Sequence, residues 1–213
     1  VQTKNMNTFD TVIDGGAGYD TLKLTKGSDV LFLDNIYTSF NANVPLLEDL
    51  DGNSNASRIA GIEEIHAGEG NDIIDLTSKF SSFEQFHSMT IKLAEGDDIA
   101  WAQSGNDFIY GGTGNDVLFG GKGNDTLTGG GGSDRFEFFK NSGNDIITDF
   151  SIQDGDLLRF FKSQSNDYNL TLSNSNTINW VGGSIELQGI AIDSLNSLNI
   201  EFKEPLITST DIF

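Results

Sequence analysis

From Leu93 to Glu137 the sequence runs through five nonapeptides without a gap: LAEGDDIAW, AQSGNDFIY, GGTGNDVLF, GGKGNDTLT and GGGGSDRFE. Gly stands at position four of each (Gly96, Gly105, Gly114, Gly123, Gly132) and Asp at position six (Asp98, Asp107, Asp116, Asp125, Asp134). Position eight is apolar (Ala100, Ile109, Leu118, Leu127, Phe136). The first six residues of such a unit make a tight turn, because glycine accepts positive φ and close backbone approach. The next three make a short strand whose middle residue faces opposite to its flanks. Two repeats complete one coil, turn–strand–turn–strand, and coils stack about 4.8 Å apart like any paired strands. The position-eight residues then fill a narrow interior between two parallel sheets.

Stacking sets each turn over the turn two repeats on. Asp98, Asp116 and Asp134 form one column, and Asp107 and Asp125 the other. Like charges at that spacing repel, so the compact coil needs counterions. Composition points the same way. The net charge is −20, with 12 Lys and Arg against 32 acids, of which 22 are Asp and 10 Glu. Nucleic acid and anionic membrane surfaces are poor partners for such a chain, and no apolar run approaches membrane-spanning length. There is no Cys, and the two histidines, His66 and His87, are too few for a typical zinc site. Calcium takes six to eight oxygens at roughly 2.3–2.6 Å from carboxylates and backbone carbonyls, and glycine turns with a fixed Asp offer both.

The nonapeptide resembles the G-G-x-G-x-D-x-U-x repeat of RTX proteins, the type I-secreted toxins, proteases, lipases and adhesins of Gram-negative bacteria. The resemblance implies a parallel β-roll with calcium between turns n and n+2. The ions would be held by carbonyls of turn positions one to four and the Asp of both turns. Carried over, one site joins Leu93, Glu95, Gly96 and Asp98 to Gly111, Gly112, Thr113, Gly114 and Asp116. A second joins Ala102, Ser104, Gly105 and Asp107 to Gly120, Gly121, Lys122, Gly123 and Asp125. A third joins the Gly111–Asp116 turn to Gly129, Gly130, Gly132 and Asp134. Leu93–Ala94 and Ala102–Gln103 replace the leading glycine pairs, which lowers the affinity expected of the first two turns.

GGAGYDTLKL (15–24) and AGEGNDIIDL (67–76) are outlying copies, with Asp20 and Asp72 at the equivalent of position six. Their offsets are not multiples of nine, so insertions are expected at Thr25–Asn55 and Thr77–Lys92, the latter containing KFSSFEQF as a short helix or hairpin. Ile59, Ile62 and Ile65 suggest a further rung before Asp72. The whole is one interrupted roll or two separate calcium-bound units. Leu47–Asn55 has alternating acids and Asn but lacks the Gly and Glu of an EF-hand, and reads as a loop.

After the array, GNDIITDF and DGDLLRF resemble the boundary where RTX rolls pass into their C-terminal region. Asp145 and Asp149 are expected to close the last calcium site, and Asp154 and Asp156 are ligands or turn residues. Alternation over residues 163–202 suggests antiparallel strands capping the open end. The expected division is therefore an interrupted roll over residues 1–150 and a β cap over 151–213. The final TDIF resembles the end of type I secretion substrates, or is an ordinary terminus. Trp101 and Phe119 should share one outer face and Phe108 and Tyr110 the other, with the Thr25–Asn55 insertion and the C-terminal strands as candidates to cover them.

No G-x-S-x-G, H-E-x-x-H or P-loop is present, and neither histidine has a nucleophile or ligand partner in spacing. Glu63–Glu64 and Asp97–Asp98 read as turn ligands and strand-face charges rather than catalytic pairs. The sequence therefore reads as an all-β, non-catalytic domain binding several Ca²⁺ ions, roughly three to five. It is expected to be part of a larger secreted or cell-surface protein that passes through type I secretion machinery. The alternatives are a glycan- or protein-binding module of an adhesin, or the calcium-dependent end of a secreted hydrolase.

Overall fold

A computed structural model describes residues 13–32, 59–77, 88–161, 170–173, 176–180, 182–190 and 199–203. Every regular element among them is a strand. Two sheets carry the fold. The narrow sheet has seven strands in the order Ile200–Lys203, Leu157–Phe161, Arg135–Phe138, Val117–Phe119, Ile99–Trp101, Ile73–Asp75 and Val30–Phe32. The wide sheet has nine, from Thr171–Ser173 through Thr177–Trp180, Gly183–Leu187, Gly143–Ile147, Thr126–Gly131, Phe108–Thr113, Thr90–Glu95 and Glu64–Glu69 to Thr21–Lys23. The chain alternates between the sheets and all coil-to-coil pairs are parallel, so this is a parallel β-roll. In the repeat array Val117 lies opposite Ile99 and Thr126 opposite Phe108, one coil per two repeats.

Both sheets run without a break from the first coil to the last, so the chain forms one continuous roll. The expected insertions are shorter than the spacing suggested. Val30–Phe32 pairs with Ile73–Asp75, which makes LTKGSDVLF a repeat directly following GGAGYDTLK. At the other insertion, Thr90, Ile91 and Lys92 pair with Glu64, Ile65 and His66 on one side and with Phe108, Ile109 and Tyr110 on the other. Both errors have one cause: the degenerate repeats kept the apolar eighth residue but lost their glycine pairs. KFSSFEQF, Leu47–Asn55, His87 and Thr210–Phe213 lie outside the described residues.

The interior is the set of position-eight side chains. Leu22, Ile65, Ile91, Ile109, Leu127 and Ile147 come from the wide sheet, and Leu31, Ile74, Ala100, Leu118, Phe136 and Leu158 from the narrow one; all are buried. Towards the C-terminal end this core thickens. Phe138, Phe160 and Trp180 meet with ring centroids 5.5–5.7 Å apart, and Phe136 lies 6.0 Å from Phe150. Parallel stacking continues past residue 150, since Leu158 pairs with both Phe136 and Ile200. The cap itself is an antiparallel meander: Gly183–Leu187 stacks parallel on Gly143–Ile147, then turns its other edge to Thr177–Trp180 and that strand to Thr171–Ser173.

On the narrow sheet's outer face, Phe119 is covered by Phe139 at 5.0 Å, and Phe139 stacks on Phe161 at 4.4 Å. The cover thus comes from Phe139, just past the end of the Arg135–Phe138 strand, while Phe138 beside it turns into the core. Phe108 and Tyr110 on the wide sheet stay open to solvent, 45% and 40% exposed. The position-eight core predicts that Leu118→Ala, at a fully buried site, costs about 2–5 kcal/mol. Denaturant unfolding of the calcium-loaded chain checks this, and a loss under 1 kcal/mol would count against an interior of close-packed rungs.

Candidate metal centre

The position-six carboxylates are stacked at one end of each strand, and each uses one oxygen in the same way. In the first column the backbone N–H of Asp29 donates to Asp72 Oδ1 (2.6 Å), Asp72 to Asp98 (2.7 Å), Asp98 to Asp116 (2.9 Å), Asp116 to Asp134 (2.9 Å) and Asp134 to Asp156 (2.9 Å). In the second, Asp20 N–H donates to Glu63 Oε2 (2.8 Å), Met89 to Asp107 (2.7 Å), Asp107 to Asp125 (2.9 Å) and Asp125 to Asp145 (3.0 Å). The three turn pairs expected from the sequence are stacked as expected, and Asp20, Asp72 and Asp145 join the columns. Asp149 lies beside them, its two oxygens accepting from Gly129 and Gly130 N–H at 2.9 and 2.8 Å.

The other carboxylate oxygen decides the chemistry. Oδ2 of Asp20, Asp72, Asp98, Asp116, Asp125 and Asp134 is buried and has no hydrogen-bond partner. A buried anionic oxygen without a donor costs several kcal/mol unless a cation or proton joins it. In Gly111, Gly120 and Gly129, the first residues of their repeats, a Cβ would overlap Oδ2 of the Asp five residues on. The carboxylate thus points back into its own glycine turn. Gly112, Gly114, Gly121, Gly123, Gly130 and Gly132 all hold positive φ. At Gly114, Gly123 and Gly132 a side chain would strike the carbonyl oxygen of the same position one coil back. Carbonyls and carboxylates therefore crowd the space between turns, and the Oδ2 atoms there have no protein donor to offset them. Among the described residues no three His, Cys, Asp or Glu side chains converge as a metal cluster. A cation between two turns would draw on two carboxylates and otherwise on carbonyls, a hard oxygen set that suits calcium.

Burial shows in the proton affinities. Desolvation pushes Asp107, Asp116 and Asp145 up to about 7, and Asp98, Asp125 and Asp134 to about 6, against partial relief from the backbone N–H each accepts. For Asp116 and Asp134 the neighbouring carboxylates of the column add to the rise.

A family model, the RTX calcium-binding nonapeptide repeat, matches in four copies at residues 7–35, 60–76, 93–127 and 110–137. Over those residues the chain carries RTX repeats. Its repeats are calcium-binding repeats of the hemolysin type. No curated protein matches the chain. Among solved structures, the extracellular lipase LipA from Serratia marcescens is similar with a TM-score of 0.44 and 16% identity over 87% of this chain. The chain spans 38% of that lipase's length.

Of the column members, Asp29 is not marked by the sequence pattern, and Asp156, a ligand or a turn residue by sequence, takes its place at the column's end. Glu63, a turn ligand by sequence, stands where Asp is usual, while Glu64 faces outward as a strand-face charge and binds His66 and Lys92. A second ladder also went unnoticed, though the recurring Asn at position five signalled it. Asp97 N–H donates to the Asn71 side chain, Asn115 to Asp97, Asn124 to Asn106, Ser133 to Asn115 and Asn144 to Asn124. Here the earlier coil's side chain accepts, whereas in the Asp columns the later coil's does. Opposed ladders pin neighbouring turns from both directions.

The raised carboxyl values carry a sign. A carboxylic acid whose folded value lies above its unfolded one, near 4, stabilises the fold most fully below the unfolded value. That support is lost as pH rises through the folded value. For the RTX turns the support fades from about 4 up to the folded values of about 6 to 7. In metal-free buffer the folded fraction should therefore rise as pH falls from 8 to 5, and calcium affinity should fall over the same range. Far-UV circular dichroism at several pH values checks both; a folded fraction that drops on acidification would refute the linkage.

Proposed function

We propose that this chain is a non-catalytic RTX segment of a larger exported protein, and that it folds when it meets extracellular calcium. The observation that carries the reading is the row of buried carboxylate oxygens without donors. With a net charge of −20 and 17 glycines among the described residues held at positive φ, the metal-free coil is opposed by both repulsion and chain entropy. Bound calcium supplies the positive charge these turns lack. A site at 100 times its Kd adds about 2.7 kcal/mol, so a handful of sites rivals the roughly 5–15 kcal/mol that holds a typical domain together.

The mechanism links charge to place. In cytosol poor in calcium, Asp repulsion keeps the chain open and able to thread through a type I secretion channel. Outside the cell, metal-binding free energy becomes folding free energy, and the C-terminal strands close the stack. In this reading the ligand turns are those of Asp20, Asp72 and residues 93–149, and the region after residue 150 acts as cap and export end. The exposed Phe108 and Tyr110 support a second reading, in which the wide sheet of an adhesin module faces a glycan or protein ligand. A glycan array on the calcium-loaded chain separates the two.

Calcium titration from chelator to millimolar, followed by far-UV circular dichroism, is the deciding experiment. A cooperative rise in β signal is expected, and Asp116→Ala with Asp125→Ala should move its midpoint up by at least the roughly tenfold that loss of a supporting group costs a metal site. A spectrum already folded in chelator, or a midpoint unmoved by the double substitution, would overturn the switch.

A further inference from the structure

The two turn columns differ. Six Asp follow one another in the first column, from Asp29 to Asp156. At both ends the second oxygen is satisfied by the terminal turn itself: Asp29 Oδ2 accepts from Thr25 N–H and Oγ1, and Asp156 Oδ2 from Ser151 N–H. The four between, Asp72, Asp98, Asp116 and Asp134, keep theirs free and buried.

The second column is interrupted. Met89 occupies the Asp position between Glu63 and Asp107: its N–H donates to Asp107 Oδ1 as an Asp N–H would, and its carbonyl accepts from Phe108 as Asp107's does from Thr126. The Met89 side chain is 4% exposed and belongs to the core. With Leu76 and Ala102 it lines a small cavity that Asp107 also borders. A thioether is a soft ligand and does not bind calcium. The facing turn departs as well, because Gln103 at position two is not left-handed, whereas Gly112, Gly121 and Gly130 are. Gln103 Oε1 lacks a partner, but an amide oxygen brings no charge to replace the missing carboxylate.

We infer that Met89 closes the gap between its own turn and the Asp107 turn to calcium, so that the roll carries an unbroken ion column on one side and a split one on the other. This rests on the calcium reading above. Ions fill the gaps from Asp72 to Asp134 in the first column, and in the second the gap between the Asp20 and Glu63 turns and those from Asp107 to Asp145, while apolar packing holds the coils together at Met89. Asp98 therefore borders an ion on both sides and Asp107 on one side only.

The test is a crystal structure of the full chain grown in calcium, with anomalous difference maps at a wavelength where calcium scatters. Peaks are expected between the turns of Asp98 and Asp116 and of Asp107 and Asp125, and none between those of Met89 and Asp107. A peak in the Met89 gap overturns the inference. No peak anywhere overturns the calcium reading itself, with the inference falling as its consequence. Calorimetric stoichiometry gives an independent arm, using Asn variants that keep the side-chain oxygen for the N–H. Asp98→Asn should lose more bound calcium than Asp107→Asn, and Met89→Leu should lose none. Equal losses from the two Asn variants, or a loss from Met89→Leu, would again overturn it.

Discussion

An Asp carboxylate that leaves water without gaining a cation costs several kcal/mol, and this roll stacks such groups directly over one another. One oxygen of each is held by the N–H of the preceding coil, which fixes the carboxylate's direction before any ion arrives. The other is left facing carbonyls. The geometry of the turns, the near-absence of side chains in them and the acidity of the chain all follow from that arrangement. A larger residue at the turn would block the approach of the coils, and a donor in place of the carbonyls would remove the need for metal.

The rest of the molecule supplies what the ions do not. Rungs of Ile and Leu give a uniform interior through the array, and Phe138, Phe160 and Trp180 fill a wider one at the C-terminal end. On the outer face of the narrow sheet, Arg135 and Arg159 both reach the buried Glu137, and Arg159 also reaches Glu201. The pairs join the last array strand to the two that follow it. The C-terminal coils are thus held by aromatic packing and ion pairs, the middle coils by the acidic turns.

The array from Leu93 to Glu137 was legible because position, not composition, carried the signal. Gly at four, Asp at six and an apolar eighth residue imply the coil, its register and the two columns. Asp29 and Met89 were missed for opposite reasons. LTKGSDVLF has Asp29 in place but lacks a glycine pair, so it read as the start of an insertion. At Met89 the coil persists although the Asp is gone, because the buried Ile91 two residues on still fills the interior. Backbone pairing needs only the eighth residue, whereas the ion needs the sixth. Asp156 stays undecided between ligand and turn residue in the sequence because extra residues at Phe138–Phe139 and again before Ser151 lengthen the step from 18 to 20 and then 22 residues.

Those unequal steps bear on how the roll was assembled. Each inter-coil bond in the array closes a loop of 18 residues, whereas Asp29 and Asp72 close one of 43. Loop-closure entropy grows only as the logarithm of length, so the longer excursion costs less than about 1 kcal/mol more than an ordinary coil. A structure whose contacts are all between successive layers has no distant pairing for an added segment to disturb. Sequence can therefore be spliced in between strands at little thermodynamic penalty, and the roll behaves as a spine from which new surface loops can be hung.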